Sequence, residues 1–372
     1  MRDLFWFCVS LIFLTYAGYP IWLHLKARYR SIAIHRDSIF PSVTILLAVR
    51  NEEKNLPRKL QNLATLSYPL GLIEEIVVSD GSTDGTHQIA ADWQNSERRL
   101  LILPQPRGKA VALNCGMAEA TGQIVVFTDA RQILASDALT MLVSNFADPS
   151  VGCVSGQLMI GEGPRAGVSE GVGLYWKIEK KIRLWEALTG STIGATGAFY
   201  AVRRNLLSAL PPDTILDDLY IPMHVIRQGY RVVFEPLALA WDDLQPGPKQ
   251  EFHRKVRTLI GNYQLLQLAP WILTASNPVR LQFVMHKLLR LWVPFALLGA
   301  LVSSMLLRQG IYEFALIVQL AFYCLAAFSM FRARLGPVSR VSDIALAFLV
   351  LNSAAAVAFV YFVTGRKALW AR

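Results

Sequence analysis

The sequence predicts an α/β domain with a mostly parallel, doubly wound sheet, flanked by transmembrane α-helices at both ends of the chain. Three observations carry this expectation. Between Ser42 and Trp241, runs of β-branched and aromatic residues alternate with helix-like stretches, the rhythm of parallel βα units. Four nearly uncharged apolar runs lie outside that region, each near the roughly 20 residues needed to cross hydrocarbon. The 372 residues are 53% hydrophobic with a mean hydropathy of +0.35, above the content of an ordinary soluble domain.

The first apolar run covers residues 5–25. It is longer than a signal-peptide core and has no small-residue cleavage site between Tyr16 and Leu25, so it reads as a retained anchor. Lys26, Arg28, Arg30 and Arg36 follow directly, and the positive-inside rule places the chain from about residue 26 onward in the cytoplasm. Residues 43–49 form a buried strand, and Leu56, Leu60 and Leu63 mark one face of the next helix. Residues 76–78 are a second strand, ending in the turn-rich stretch 79–85 ahead of a helix at 87–93. A strand at 100–103, a helix at 108–120 and a strand at 124–128 follow, the last delivering Asp129 to the sheet edge. Residues 151–157 are a further strand. Residues 171–188 form a helix whose Tyr175, Trp176 and Trp185 suit either sugar stacking or packing. Asp217 opens a helix that ends near Gly229. From Gln250 onward, Phe252, Val256, Leu259, Ile260 and Tyr263 interleave with His253, Arg254, Lys255 and Arg257, the pattern of a basic amphipathic helix in a membrane interface.

Residues 291–307, 311–331 and 344–363 are the remaining spans. The turn 308–313 then lies outside, and the loop with Arg332, Arg334 and Arg340 lies inside. Four crossings leave Arg366, Lys367 and Arg372 outside, against the rule, unless one segment is re-entrant or interfacial.

The net charge of +10 does not point to nucleic acid, because the basic residues crowd near membrane ends and no nucleic-acid motif accompanies them. Anionic membrane lipids are the expected partner. Cys8, Cys115, Cys153 and Cys324 have no metal or redox spacing and read as free thiols.

Ligands of open α/β sheets bind beyond the carboxyl ends of the strands. Arg50, Asn51, Glu52 and Glu53 follow the first strand, Asp80 and Asp84 the second, and Asp129 the fourth. Gathered carboxylates raise one another's pKa and cost stability, a cost relieved by a divalent cation or by a ligand rich in hydroxyl and N–H donors. Asp84, just ahead of a helix, reads equally well as a cap.

Ala48-Val49-Arg50-Asn51-Glu52-Glu53, Val77-Val78-Ser79-Asp80-Gly81-Ser82-Thr83-Asp84-Gly85-Thr86, Gly108-Lys109-Ala110-Val111-Ala112-Leu113-Asn114 and Phe127-Thr128-Asp129-Ala130-Arg131 resemble, in order and spacing, the family 2 glycosyltransferases of GT-A fold. The chain is similar in layout to the membrane-integrated synthases of hyaluronan, chitin and poly-N-acetylglucosamine. The likeness covers about residues 42–260 and the arrangement of spans. It implies an inverting transferase at the inner membrane, its catalytic domain cytoplasmic. Such an enzyme moves a hexose from a nucleotide sugar, UDP-linked, to a lipid-linked or growing glycan of a surface polysaccharide.

The resemblance also implies residue roles. Ala48, Asn51, Glu53 and Asp80 would line the uridine pocket, with Lys109 beside it. Asp129 would be the first acid of an Asp-x-Asp pattern that binds the diphosphate through Mg2+ or Mn2+. Thr196, Gly197 and Ala198 match an acceptor segment, Asp218 the general base and Asp217 its support. Arg254 and Arg257 are candidates for holding the diphosphate.

Three positions depart from the family pattern. Ser79 stands for a second acid beside Asp80, Arg131 for the second acid of Asp-x-Asp, and Arg254-Lys255-Val256-Arg257-Thr258 for Gln-x-x-Arg-Trp. Arg131 either contacts the diphosphate itself or marks a weakened metal site. Loss of the Gln and Trp keeps a single-addition glycolipid glycosyltransferase, similar to ceramide glucosyltransferases, as the alternative. A non-catalytic nucleotide-sugar-binding membrane component is the other. The expected division is an anchor at 1–30, a catalytic domain at 42–245, interfacial helices at 246–285 and three spans at 286–372. Three C-terminal spans are few to enclose a translocation path, so a homo-oligomer or a polysaccharide-export partner would complete one.

Overall fold

The computed structural model describes residues 1–69, 71–161, 173–242, 248–329 and 338–365. Arg332, Arg334, Arg366, Lys367 and Arg372 lie outside the described residues, as do the side chains of Tyr175, Trp176 and Arg340. The chain divides into two compact units, one of Lys26–Gln245 with Leu268–Val279, the other of Met1–Leu25, Pro246–Gln267 and Arg280–Arg372.

The first unit is built on one eight-stranded sheet. Its strands are β1 (Val43–Val49), β2 (Ile73–Asp80), β3 (Arg98–Leu103), β4 (Ile124–Thr128), β5 (Ile133–Leu134), β6 (Val151–Ile160), β7 (Phe199–Arg203) and β8 (Arg231–Asp242), in spatial order β3-β2-β1-β4-β7-β6-β8-β5. The first four are mutually parallel, joined by crossovers through the helices Leu56–Leu63, Thr86–Asp92 and Lys109–Glu119. Beyond them the sheet is mixed. β7 runs antiparallel between β4 and β6, whereas β6 and β8 are parallel. Because Thr128 pairs with Phe199, the residues after β4 and those before β7 emerge at one edge of the sheet.

β2 is longer than the sequence suggests, so Asp80 closes the strand rather than opening the loop. β-Branched and leucine side chains of β1 and β4 fill the core with Phe199, Ala201 and Val233. The helix Leu56–Leu63 follows the 3.6-residue period and buries Leu56, Leu60 and Leu63, together with Lys59.

In the second unit, Arg2–Tyr29, Arg280–Leu307, Ile311–Phe328 and Val341–Val363 are long and apolar enough to cross a membrane. Cys8 packs with Ala296 and Ala300, small side chains that let two helices approach closely. The Gln319 amide donates to the Leu297 carbonyl at 2.9 Å. Phe314, Ile317, Val318 and Leu320 are exposed on the third of these helices. Pro248–Leu268 is amphipathic, with Val256, Ile260 and Tyr263 buried and Arg254, Arg257 and Thr258 exposed.

Candidate active site

The loops after β1 and β2 bond mainly to one another. Asn51 adopts φ 54°, a left-handed conformation that Asn tolerates, and its Oδ1 accepts the Thr83 N–H at 2.8 Å. Its own N–H donates to Ser82 Oγ at 3.2 Å. Glu53 Oε2 accepts the Gly85 N–H at 3.0 Å, and the Glu52 N–H donates to Thr86 Oγ1 at 2.8 Å. Asp84 Oδ1 accepts the N–H (3.0 Å) and hydroxyl (2.5 Å) of Thr86, the first residue of its helix, so this carboxylate works as a helix-start acceptor.

Asp80 is buried, and its two oxygens take the Arg107 N–H at 2.6 Å and the Gly108 N–H at 2.8 Å. Gly81 at φ 59° lets that segment cross: a Cβ there would lie 2.4 Å from Pro106 N. Ser79 shares a 2.8 Å bond with the Ser82 hydroxyl. Ala48 sits on β1, in register with Val78.

The other half of the edge is organised by a lysine. Lys109 opens its helix, and its Nζ lies 3.1 Å from Asp129 Oδ1 and 3.3 Å from Asp217 Oδ1. The resemblance implies a place for this lysine beside the uridine pocket; in the structure its ammonium joins the acid after β4 to Asp217. Burial pulls the ammonium pKa down, but the Asp129 and Asp217 carboxylates outweigh it and hold the group well above the ordinary lysine value. Asp217 is buried, and its Oδ2 accepts the Tyr200 hydroxyl at 3.2 Å. Tyr200 is itself fully buried and stacked on Phe127 at 4.6 Å. Burial, with Asp217 and Asp218 alongside, raises its pKa and keeps it a proton donor.

Asp218 is half-buried at the start of the helix Asp217–Arg227, and its Oδ2 accepts the Gly197 N–H at 3.0 Å. A Cβ on residue 197 would lie 3.1 Å from that oxygen, so glycine there serves the approach of this carboxylate. Pro222 lacks the N–H that would bond the carbonyl of residue 218. That carbonyl accepts the Ala195 N–H at 2.8 Å instead, tying the glycine segment to the helix. The Thr196 N–H is held by Ser155 Oγ at 3.0 Å, and the Ala198 carbonyl by the Thr128 hydroxyl at 2.9 Å.

Arg131 turns its fork onto Asp242, the buried acid that ends β8, with Nε–Oδ1 3.0 Å and Nη2–Oδ2 2.8 Å. Gln132 Nε2 adds a third bond to the same carboxylate at 3.1 Å. Beneath this turn Lys59, fully buried, donates to Thr128 Oγ1 at 2.9 Å and to the Gln132 carbonyl at 2.8 Å. Burial lowers its pKa to about 7, with Asp129 opposing the shift. Sequence reasoning missed Lys59 and Asp242. The signal for Lys59 was a lysine on the apolar face of its helix.

Arg254 and Arg257 belong to the other unit, where Arg254 pairs with Glu251 at 2.7 Å and Arg257 is exposed. A hollow of about 690 Å³ lined by Phe40, Gln123, Phe146, Arg203 and Arg204 lies at the opposite end of β4 and contains none of these acids.

Asp129 offers one half-exposed carboxylate, and among the described residues no three His, Cys, Asp or Glu side chains are grouped to hold an ion. A single hard oxygen ligand fits Mg2+ or Mn2+ drawing most of its shell from phosphate and water.

Residues 44–210 match the family described as Glycosyl transferase family 2. The poly-beta-1,6-N-acetyl-D-glucosamine synthase of Staphylococcus aureus (strain COL) is 28% identical over 234 residues, 60% of this chain and 55% of that protein. The synthase of the same name from Staphylococcus epidermidis is 24% identical over 286 residues, 75% of this chain and 69% of the relative. The chain thus spans little more than half the length of the S. aureus relatives it matches. Among solved structures, a mannosyltransferase from Pyrobaculum calidifontis in complex with GDP-Man and Mn2+ superposes with a TM-score of 0.72 at 23% identity, covering 98% of this chain and 100% of that one. This likeness is one of fold.

Proposed function

We propose, from the premise that this chain is a glycosyltransferase with a family 2 domain of GT-A fold at residues 44–210, that it moves a hexose from a nucleotide sugar, UDP-linked, to a lipid-linked or growing glycan with inversion. One observation carries the reading: the Lys109 ammonium touches both Asp129 and Asp217, so the diphosphate end and the acid pair form one site.

Asp218 takes the proton from the acceptor hydroxyl as that oxygen attacks the anomeric carbon, and the nucleotide diphosphate leaves from the opposite face. Asp217, held by Lys109 and Tyr200, fixes the start of the helix that carries Asp218. Lys109 is a cation that can pass from the carboxylates to the departing diphosphate. Asp129 holds the metal side, and a bound Mg2+ or Mn2+ would neutralise charge growing on the leaving group. Asn51, Glu53 and Asp80 shape the nucleotide end, with Ala48 in its floor, and Thr196, Gly197 and Ala198 present backbone to the acceptor. Arg131 supports the turn through Asp242.

We place the enzyme in the inner membrane, catalytic domain cytoplasmic, in surface polysaccharide synthesis, with a homo-oligomer or export partner completing any path for the product. A second reading, addition of one sugar to a lipid, is favoured by Arg254 and Thr258 standing where Gln and Trp would support processive synthesis. A panel of nucleotide sugars, scored by acceptor-stimulated UDP or GDP release and by product length, decides between them. If none of the nucleotide sugars gives release in the presence of lipid or glycan acceptors, both readings fail.

A further inference from the structure

Lys59 stands out because a fully buried lysine is costly unless its ammonium is well bonded. On the face formed by Leu56, Leu60 and Leu63, a methionine or leucine would complete the core without that cost. The bonds that offset it converge on one target. Thr128 and Gln132 are the two ends of the five-residue turn carrying Asp129 and Arg131, and Lys59 Nζ holds both at 2.9 and 2.8 Å. The constraint continues across the sheet. The Thr128 hydroxyl, accepting from Lys59, donates its own proton to the Ala198 carbonyl at 2.9 Å, and the neighbouring Gly197 N–H bonds Asp218 Oδ2 at 3.0 Å.

We propose that Lys59 is a positioning residue that sets the spacing between the Asp129 turn and the glycine segment that orients Asp218, through the path Lys59–Thr128–Ala198. The claim rests on the roles proposed above for Asp129 and Asp218. It differs from a purely structural role in predicting loss at one step: the base and the leaving group fall out of alignment while the nucleotide pocket, bonded within the loops after β1 and β2, stays intact. Misplacements of this kind cost on the order of 10- to 100-fold in rate.

The test compares Lys59→Met, Thr128→Val and Thr128→Ser in the full-length, detergent-solubilised protein. Turnover is read from nucleotide release, affinity from titration with UDP and GDP, and local order from amide exchange at 194–199. Lys59→Met and Thr128→Val are expected to lower kcat about 10- to 100-fold with nucleotide Kd within about threefold of wild type. Amide protection should fall at Gly197. Thr128→Ser, which keeps the hydroxyl, should restore most of the turnover. The double variant Lys59→Met/Thr128→Val should be little worse than the poorer single one, since both cut one path.

A folded Lys59→Met with kcat within about threefold of wild type overturns the inference, as does equal loss of kcat and nucleotide affinity. Should Lys59→Met fail to fold, Thr128→Val decides alone, and unchanged turnover there overturns it. A wild type that transfers no sugar would count against the proposed function instead. The exchange arm would still decide the inference, because unaltered protection at Gly197 in Thr128→Val contradicts the path.

Discussion

The loops after β1 and β2 and the residues around Asp129 and Asp218 share one strand edge, yet they hold their acids in different ways. In the first group Glu53, Asp80 and Asp84 are engaged by backbone N–H groups, reinforced at Asp84 by a hydroxyl. In the second, Asp129 and Asp217 are engaged by the ammonium of a long side chain, and Asp218 alone has a backbone donor, the Gly197 N–H. Backbone donors cannot leave without unfolding a loop, so the first group gives a fixed shape. A lysine on a flexible stem can exchange a carboxylate for a phosphate, so the second group can respond to a ligand.

The largest test of this contrast is Asp218→Asn, which should reduce transfer by about 10²- to 10⁴-fold while nucleotide affinity remains within about threefold, measured by product formation and calorimetry. Equal loss of both would place Asp218 in the rigid group. Lys109→Met comes next. It leaves the buried Asp217 without its ammonium, and kcat/KM should fall about 10- to 100-fold with a lowered thermal midpoint. Asp80→Asn reverses the pattern. An amide N–H₂ then faces a backbone N–H, costing about 1–3 kcal/mol in unfolding titrations and weakening nucleotide binding more than turnover.

The smallest effect concerns pH. With its folded pKa lowered to about 7, Lys59 binds fewer protons in the folded chain than in the unfolded one between about pH 7 and about pH 10.4. Stability should therefore rise with pH across that window, and Lys59→Met should flatten the slope of thermal midpoint against pH.

The first half of the sheet was legible because its signals are local: continuous apolar strand runs, short helices and, after β2, the turn with Gly81 and Gly85. β7 and β8 were not, since the antiparallel entry of Phe199–Arg203 beside β4 depends on pairings some seventy residues apart in sequence, about the separation of Thr128 from Phe199. The chemistry followed the same division. Asp129, Asp217 and Asp218 could be named from their motifs, and the structure joins the first two through Lys109. Arg131 could not be resolved from its neighbours, because its partner Asp242 closes a strand that the sequence did not delimit. Lys59 was hidden for another reason: composition alone reads a lysine beside leucines as solvated.

Pro222 carries a consequence for variation in this chain. An alanine at that position would suit a helix far better and would supply an N–H to the carbonyl of residue 218. That new rung would compete with the Ala195 N–H for the same acceptor, so a change that makes the helix sturdier would loosen the glycine segment beside Asp218. Selection for heat tolerance and selection for turnover would pull this residue in opposite directions.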